Sequence, residues 1–446
     1  MNQKILIQNA LIVNEGLICK SDLLIENDYI KKIDANIIVD NSVQIIDASG
    51  HFLIPGLIDD QVHFREPGLT HKATIASESK AAIAGGITSF IEMPNTNPPC
   101  ITQELLEDKF KIAENSSLAN YSFMIGGTNN NLEELLKTNP KNVAGIKLFL
   151  GSSTGNMLVD DDTFLEKLFL STDLLIAVHC EDESTIQKNI QIYKEKFGEN
   201  IPIEFHPIIR SEEACYLSSS KVIELAKKTG ARLHVFHLST AKETNLFSNK
   251  IALKDKRITA EVCIHHLWFD DSDYQNKGNF IKWNPAIKSE NDKKELLKAL
   301  LDNRIDVIAT DHAPHTLDEK NQVYAKAPSG GPLVQHALPA LLEMVHQQKI
   351  TIEKLVEKSC HNPAILFQIN KRGFIKEGYF ADLVLINMNN PWNVTKENIL
   401  YKCGWSPFEG VTFQSKITHT FVNGNLVYQN GNFISNIKGK RLEFNR

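Results

Sequence analysis

From residue 57 to about 315 the chain repeats one unit: a short apolar run, a few polar residues, then a longer amphipathic stretch. The runs predicted as strands are Leu57–His63, Gly86–Met93, Tyr121–Gly126, Gly145–Leu150, Leu174–His179, Arg232–Leu238, Ile258–His265 and Arg304–Thr310. Helix-like stretches lie between them, among them Ala73–Ala84, Thr102–Asn115 and Ser219–Thr229. Strands separated by helices pair in parallel, because each crossover needs a covering element. Eight such units point to a closed (β/α)8 TIM barrel rather than an open sheet. A length of 446 residues would suggest three domains at about 150 each, but barrels exceed that as single units.

The flanks follow another period. Residues 1–54 and 375–446 alternate in twos with turn signals, as in A-D-L-V-L-I at 381–386, and the pair Asn423-Gly424 is a hairpin-type turn. The expectation is an α/β protein with a barrel at 55–374 and a small β-sandwich domain at 1–54 plus 375–446. A formal charge of −6 gives no electrostatic case for nucleic acid or an anionic membrane. Seven scattered cysteines without a C-x-x-C pair indicate neither a disulfide framework nor a cysteine zinc site. With no run near 18 apolar residues and an N-terminus patterned like a strand, a cytoplasmic location is expected.

In barrels of this kind, working residues sit at the C-terminal ends of the strands. Metal-compatible groups fall there one after another: His63 on the first strand, Lys147 on the fourth, His179 on the fifth, His237 on the sixth and Asp311 after the eighth. One such histidine alone would more often be a hydrogen-bonded structural residue; the succession is what points to a metal centre. Lys147 fits less simply, since an ammonium repels a metal, and a buried pair with Asp311 is the plainer reading. Around His63 the sequence runs D-D-Q-V-H-F-R-E-P-G (59–68), and period-two geometry sets Asp59, Gln61, His63 and Arg65 on one face. Arg65 then either binds an anion in the site or forms a barrel-mouth salt bridge with Glu66 or Asp59.

This segment resembles the first-strand signature of the amidohydrolase superfamily, His-x-His, in its dihydroorotase form with Arg-Glu-Pro-Gly. The resemblance continues through M-P-N-T at 93–96, E-V-C-I-H-H-L-W-F at 261–269, K-W-N-P-A-I at 282–287, A-T-D-H-A-P-H at 309–315 and A-P-S-G-G at 327–331. It ends with G-Y-F-A-D-L-V-L at 378–385 and S-P-F-E-G at 406–410. It implies reversible ring closure of N-carbamoyl-aspartate to dihydroorotate in pyrimidine synthesis. It also implies metal ligation by His63, Lys147, His179, His237 and Asp311, with Lys147 N6-carboxylated. Asp311 is then the proton carrier, and Arg65, Asn95, Asn284, His315 and the backbone near Ala327 are substrate contacts. Gln61 departs from the pattern, standing where the family has its first histidine. A neutral amide is a poorer zinc ligand than imidazole, so one tightly held zinc and a weaker second metal are expected. The implied partners are a small-molecule substrate, a second copy of the chain in a homodimer, and aspartate transcarbamoylase. Two other readings stay open: another cyclic amidase such as a hydantoinase or allantoinase, and a catalytically silent partner of aspartate transcarbamoylase.

Overall fold

The computed structural model describes residues 3–151, 157–435 and 437–446. The eight apolar runs form eight strands hydrogen-bonded in sequence order: β1 (Leu57–Val62), β2 (Ile87–Glu92), β3 (Asn120–Gly126), β4 (Gly145–Phe149), β5 (Ile176–His179), β6 (Leu233–Val235), β7 (Ile258–Cys263) and β8 (Val307–Ala309). Each neighbouring pair is parallel. Strands β1 to β5 are buried along their whole length, as strands covered on both faces must be.

The last strand meets the first. Val62 and His312 form a parallel bridge, and the His63 amide donates to the His312 carbonyl at 2.7 Å. The Asp59 carboxylate accepts from the Thr310 amide at 3.1 Å and the Thr310 hydroxyl at 2.6 Å. Asp59 therefore serves closure, and the face expected to carry four polar residues brings three of them to the barrel mouth.

Helices begin where the sequence supplies caps. Thr74 starts Ile75–Ala84 in a capping box with Ser77. Ser211 caps Glu212–Thr229, which ends at Gly230 with φ of +75°. That helix starts seven residues before the predicted Ser219, because Ala214 and Cys215 in its first turns are already buried. The seventh strand stops at Cys263 rather than His265, since Ile264–Trp268 turns helical.

Both ends of the chain meet in a nine-stranded sheet. Strand Phe52–Pro55 joins Lys4–Asn14 on one side to Leu383–Asn387 on the other, and Leu383–Asn387 pairs in turn with Lys416–Val422. Period two divides its side chains. Leu383 and Leu385 join Ile5, Ile12 and Leu53 in a separate core, while Val384 and Ile386 pack into the barrel cluster. Each such side chain, fully buried, contributes about 1.5–3 kcal/mol.

One buried ion pair ties the first two strands to the helix outside them. Lys109, on Gln103–Ser116, lies 2.8 Å from Glu92 Oε2 and donates to the Met93 carbonyl at 3.0 Å. Glu92 Oε1 accepts from the Phe64 amide at 3.1 Å. Lys109→Met would leave a buried, uncompensated carboxylate, so urea unfolding should show a loss of about 3–5 kcal/mol.

Candidate active site

At the C-terminal end of the barrel, Gln61, His63, Arg65, Asn95, His179, His237, Asn284 and Asp311 line one pocket. Two pairs of ligand-type atoms face each other there. His179 Nδ1 lies 3.0 Å from His237 Nε2, and His63 Nε2 lies 3.2 Å from Asp311 Oδ1. A tetrahedral ion with bonds near 2.0–2.1 Å holds its ligands about 3.3 Å apart, close to both separations.

Two of the three rings have a polar partner at the far nitrogen. His63 Nδ1 donates to Asn95 Oδ1 at 2.7 Å, which turns the Nε2 lone pair toward Asp311. His179 Nε2 lies 3.1 Å from Glu181 Oε2, which leaves Nδ1 facing His237. An imidazole fixed through its other nitrogen is the usual way a metal ligand is presented. Burial would raise Glu181, yet Arg210, in contact with it, and His179 hold it down to about 2. Burial pushes His63 well below the ordinary imidazole range, aided by Arg65 and Lys147. It does the same to His237, aided by His179 and Lys147, so both rings are neutral.

Lys147 is fully buried, and its Nζ has no hydrogen-bond partner among the described residues. The ammonium lies 4.1 Å from the Phe236 ring centroid and 4.9 Å from that of Phe149. Burial pulls it down to about 7 against the attraction of Asp311. Burial likewise pushes Asp311 up to about 7, against Lys147. The plain ion pair expected between the two is not formed.

Arg65 enters the pocket through a backbone twist, with φ of +69°. Its Nε donates to the Pro314 carbonyl at 3.1 Å, and an Nη lies 3.0 Å from His315 Nε2. The salt bridge weighed from sequence is absent: Glu66 caps the Ile75 amide and Asp59 holds Thr310. His237 and Asp311 also have positive φ, +40° and +47°. Such backbone costs of order 1–3 kcal/mol per residue and gathers at functional sites.

Asn284 Oδ1 has no partner among the described residues and faces the pocket as a spare acceptor. His315 stands behind Arg65, between Lys72 Nζ and the Ser329 carbonyl. The loop at 327–331 meets the pocket through Ser329 and Gly330, while Ala327 lies behind it and accepts from Lys282 Nζ at 2.6 Å. Lys320 Nζ donates to the Pro328 and Gly330 carbonyls at 2.9 and 2.8 Å. The pocket side of Gln61 is held only loosely, its Oε1 lying 3.9 Å from the Cys263 thiol. Sequence reasoning missed Phe149, Trp283 and Glu181; the last was within reach, two residues beyond His179 on the same parity.

The residues fit a metal, since the buried Lys147 Nζ has no hydrogen-bond partner among the described residues and stands beside two pairs of near-ideal ligand spacing. The amidohydrolase family profile matches residues 52–427, and the chain belongs to that family. It is 38% identical over 429 residues to the dihydroorotase of Carboxydothermus hydrogenoformans, covering 94% of this chain and 96% of that one. It is 32% identical to the dihydroorotase of Methanosarcina acetivorans, with 91% and 88% covered. Among solved structures, the L-hydantoinase (dihydropyrimidinase) of Arthrobacter aurescens superposes with a TM-score of 0.91 at 26% identity, over 98% of each chain.

Glu181→Gln should weaken the hold on His179. Competition with a fluorescent chelator is expected to show metal affinity down by about 10–100-fold in a folded protein.

Proposed function

We propose that the chain is a dihydroorotase, a metal-dependent cyclic amidohydrolase that interconverts N-carbamoyl-L-aspartate and L-dihydroorotate in pyrimidine synthesis. The observation that carries this reading is the buried guanidinium of Arg65 inside a pocket built of metal-type ligands. A cyclic amide without a carboxylate gives such a cation nothing to pair with, whereas a ring bearing one does. The similarity to proteins named dihydroorotase over nearly the whole chain supports it.

His179, His237 and Lys147 would hold one zinc, and His63 and Asp311 a second. Lys147 takes part as a carbamate: its neutral amine bonds to the carbon of carbon dioxide and releases one proton, and a Nζ pulled to about 7 is available for that. A divalent ion in such a site acts as a Lewis acid, polarising the ring amide and making water nucleophilic near neutral pH.

Asp311 takes the proton of the attacking water and delivers it to the ring nitrogen that leaves, and in synthesis the roles reverse. Its place at the C-terminal end of the barrel, 3.2 Å from His63 Nε2, puts that carboxylate beside the water in both directions. Arg65 presents its planar fork to the substrate carboxylate, with His315 holding that fork in place and Asn95 beside it. Asn284 Oδ1 accepts from a ring N–H, and the loop at Ser329 and Gly330, with Ala327 bracing it from behind, borders the ring. A homodimer, alone or joined to aspartate transcarbamoylase, belongs to the same reading, and light scattering tests it.

The purified protein should hydrolyse L-dihydroorotate and cyclise N-carbamoyl-L-aspartate; turnover of hydantoin with none of dihydroorotate would overturn the assignment. Asp311→Asn should lower kcat by at least about a hundredfold with the far-UV spectrum unchanged. Arg65→Lys keeps the charge but loses the fork, and KM should rise by about tenfold or more. Gln61→His restores an imidazole, so metal analysis after dialysis against a mild chelator should move toward two ions per chain.

A further inference from the structure

The motif E-V-C-I-H-H-L is only partly used by the site above. Cys263 ends β7, and His265 and His266 follow on the short helix Ile264–Trp268. All three side chains are buried. The sulfur and one nitrogen of each imidazole lie within 4.8 Å of one another. We propose that these three residues form a separate site for a soft or borderline divalent cation, of the zinc or cadmium type.

The imidazoles are presented for it. His266 Nε2 donates to the Pro285 carbonyl at 3.2 Å, and its Nδ1 is left with no partner among the described residues. Anchoring through one nitrogen so that the other carries a free lone pair is the pattern of a metal ligand. His265 stacks on Trp283, with centroids 4.4 Å apart and planes at 12°. Neither of its ring nitrogens makes a hydrogen bond of good geometry, although the Thr310 backbone acts on the ring. The two rings stand 4.1 Å apart.

The plainer reading is that these are histidines packed as apolar groups. A buried polar atom without a partner costs about 1–3 kcal/mol, and three such nitrogens lie together here. Burial holds His265 well below the usual imidazole range and His266 at about 3, so both rings are neutral, the ligating form. A tetrahedral ion with bonds of about 2.0–2.3 Å spaces its ligands by about 3.3–3.7 Å, so the three groups need to close by at most about 1.5 Å.

On loading, the S–H bond of Cys263 breaks and a sulfur–metal bond forms. The proton passes to the Glu261 carboxylate, whose Oε1 already lies 3.3 Å from the sulfur. The ligands come from the end of β7 and the turn after it: His265 backs onto Trp283, the Cys263 sulfur lies 3.9 Å from Gln61 Oε1 at the edge of the pocket, and none of the three belongs to the set from β1, β4, β5, β6 and β8. Because His265 stacks on Trp283 and His266 holds the Pro285 carbonyl, an ion here would stiffen the wall that carries Asn284.

Cadmium titration of the chelator-stripped full chain tests the site, read by the ultraviolet charge-transfer band of a thiolate–cadmium bond. The band should saturate with one ion per chain and be lost in Cys263→Ser. In His266→Gln, which keeps the thiol, the affinity should fall by at least about tenfold. The band should persist in Cys180→Ser and in His179→Asn/His237→Asn, which disables the catalytic set. Circular dichroism checks folding, and if Cys263→Ser does not fold, the His266→Gln result decides. No band, a band that survives Cys263→Ser, one unchanged by His266→Gln, or one lost with the catalytic histidines would each overturn the proposal.

Discussion

Everything at the barrel mouth is registered from the seam between β1 and β8. The Asp59 carboxylate gripping Thr310 and the His63 amide bonding to the His312 carbonyl set the two strands at one height. The side chains that follow, His63 and Asp311, are thereby brought to 3.2 Å. His312 clamps the seam from outside, its Nε2 2.9 Å from Glu78 Oε2 and its Nδ1 accepting from the Leu333 amide. A single-residue slip here would turn every ligand on β1 to the other face.

Beneath the mouth the fold manages several charges that water cannot reach. Glu92 has Lys109, and Glu181 has Arg210. Burial would lower His234, but Asp60 and Glu261 beside it raise it to about 9, and burial with Asp60 pushes Glu261 up to about 7. Against these paired groups Lys147 stands apart: among the described residues its ammonium has no hydrogen-bond partner, it lies against the faces of two phenylalanines, and Asp311 attracts it without forming an ion pair. A buried cation without a counter-ion is unstable as such and favours becoming neutral or being modified. That is the physical content of reading Lys147 as a carbamate.

The barrel was legible because its signal is periodic and repeated eight times, so errors of a few residues at strand ends did not change the count. Candidate ligands could be picked out for the same reason, since strand ends mark where function sits, and the structure brings His63, His179, His237 and Asp311 to one pocket. What sequence could not supply is how side chains are shared. Asp59 has the right parity for the pocket yet is drawn to Thr310. Asn95 was expected at the substrate, and it also orients His63. The start of Glu212–Thr229 was missed because its first apolar residues are the small Ala214 and Cys215, weak markers of a buried face. Lys282 and Lys320 are buried and tie loop carbonyls together. Those partnerships join residues far apart in the chain, and no local period announces them.

The sheet made from both chain ends has a consequence for synthesis. Strand Phe52–Pro55 pairs with Leu383–Asn387, so the core around Ile5, Ile12 and Leu53 lacks its far half until residue 387 has been made. At roughly 5–20 residues per second, the intervening segment takes tens of seconds to emerge. During that interval Ile5, Ile7 and Leu23 form a half-sheet with an open edge, the kind of surface that pairs with the wrong chain. The barrel, assembled from neighbouring units, can close while its flanking sheet still waits. A strand made more than three hundred residues later is thus the one that covers the open edge of Phe52–Pro55.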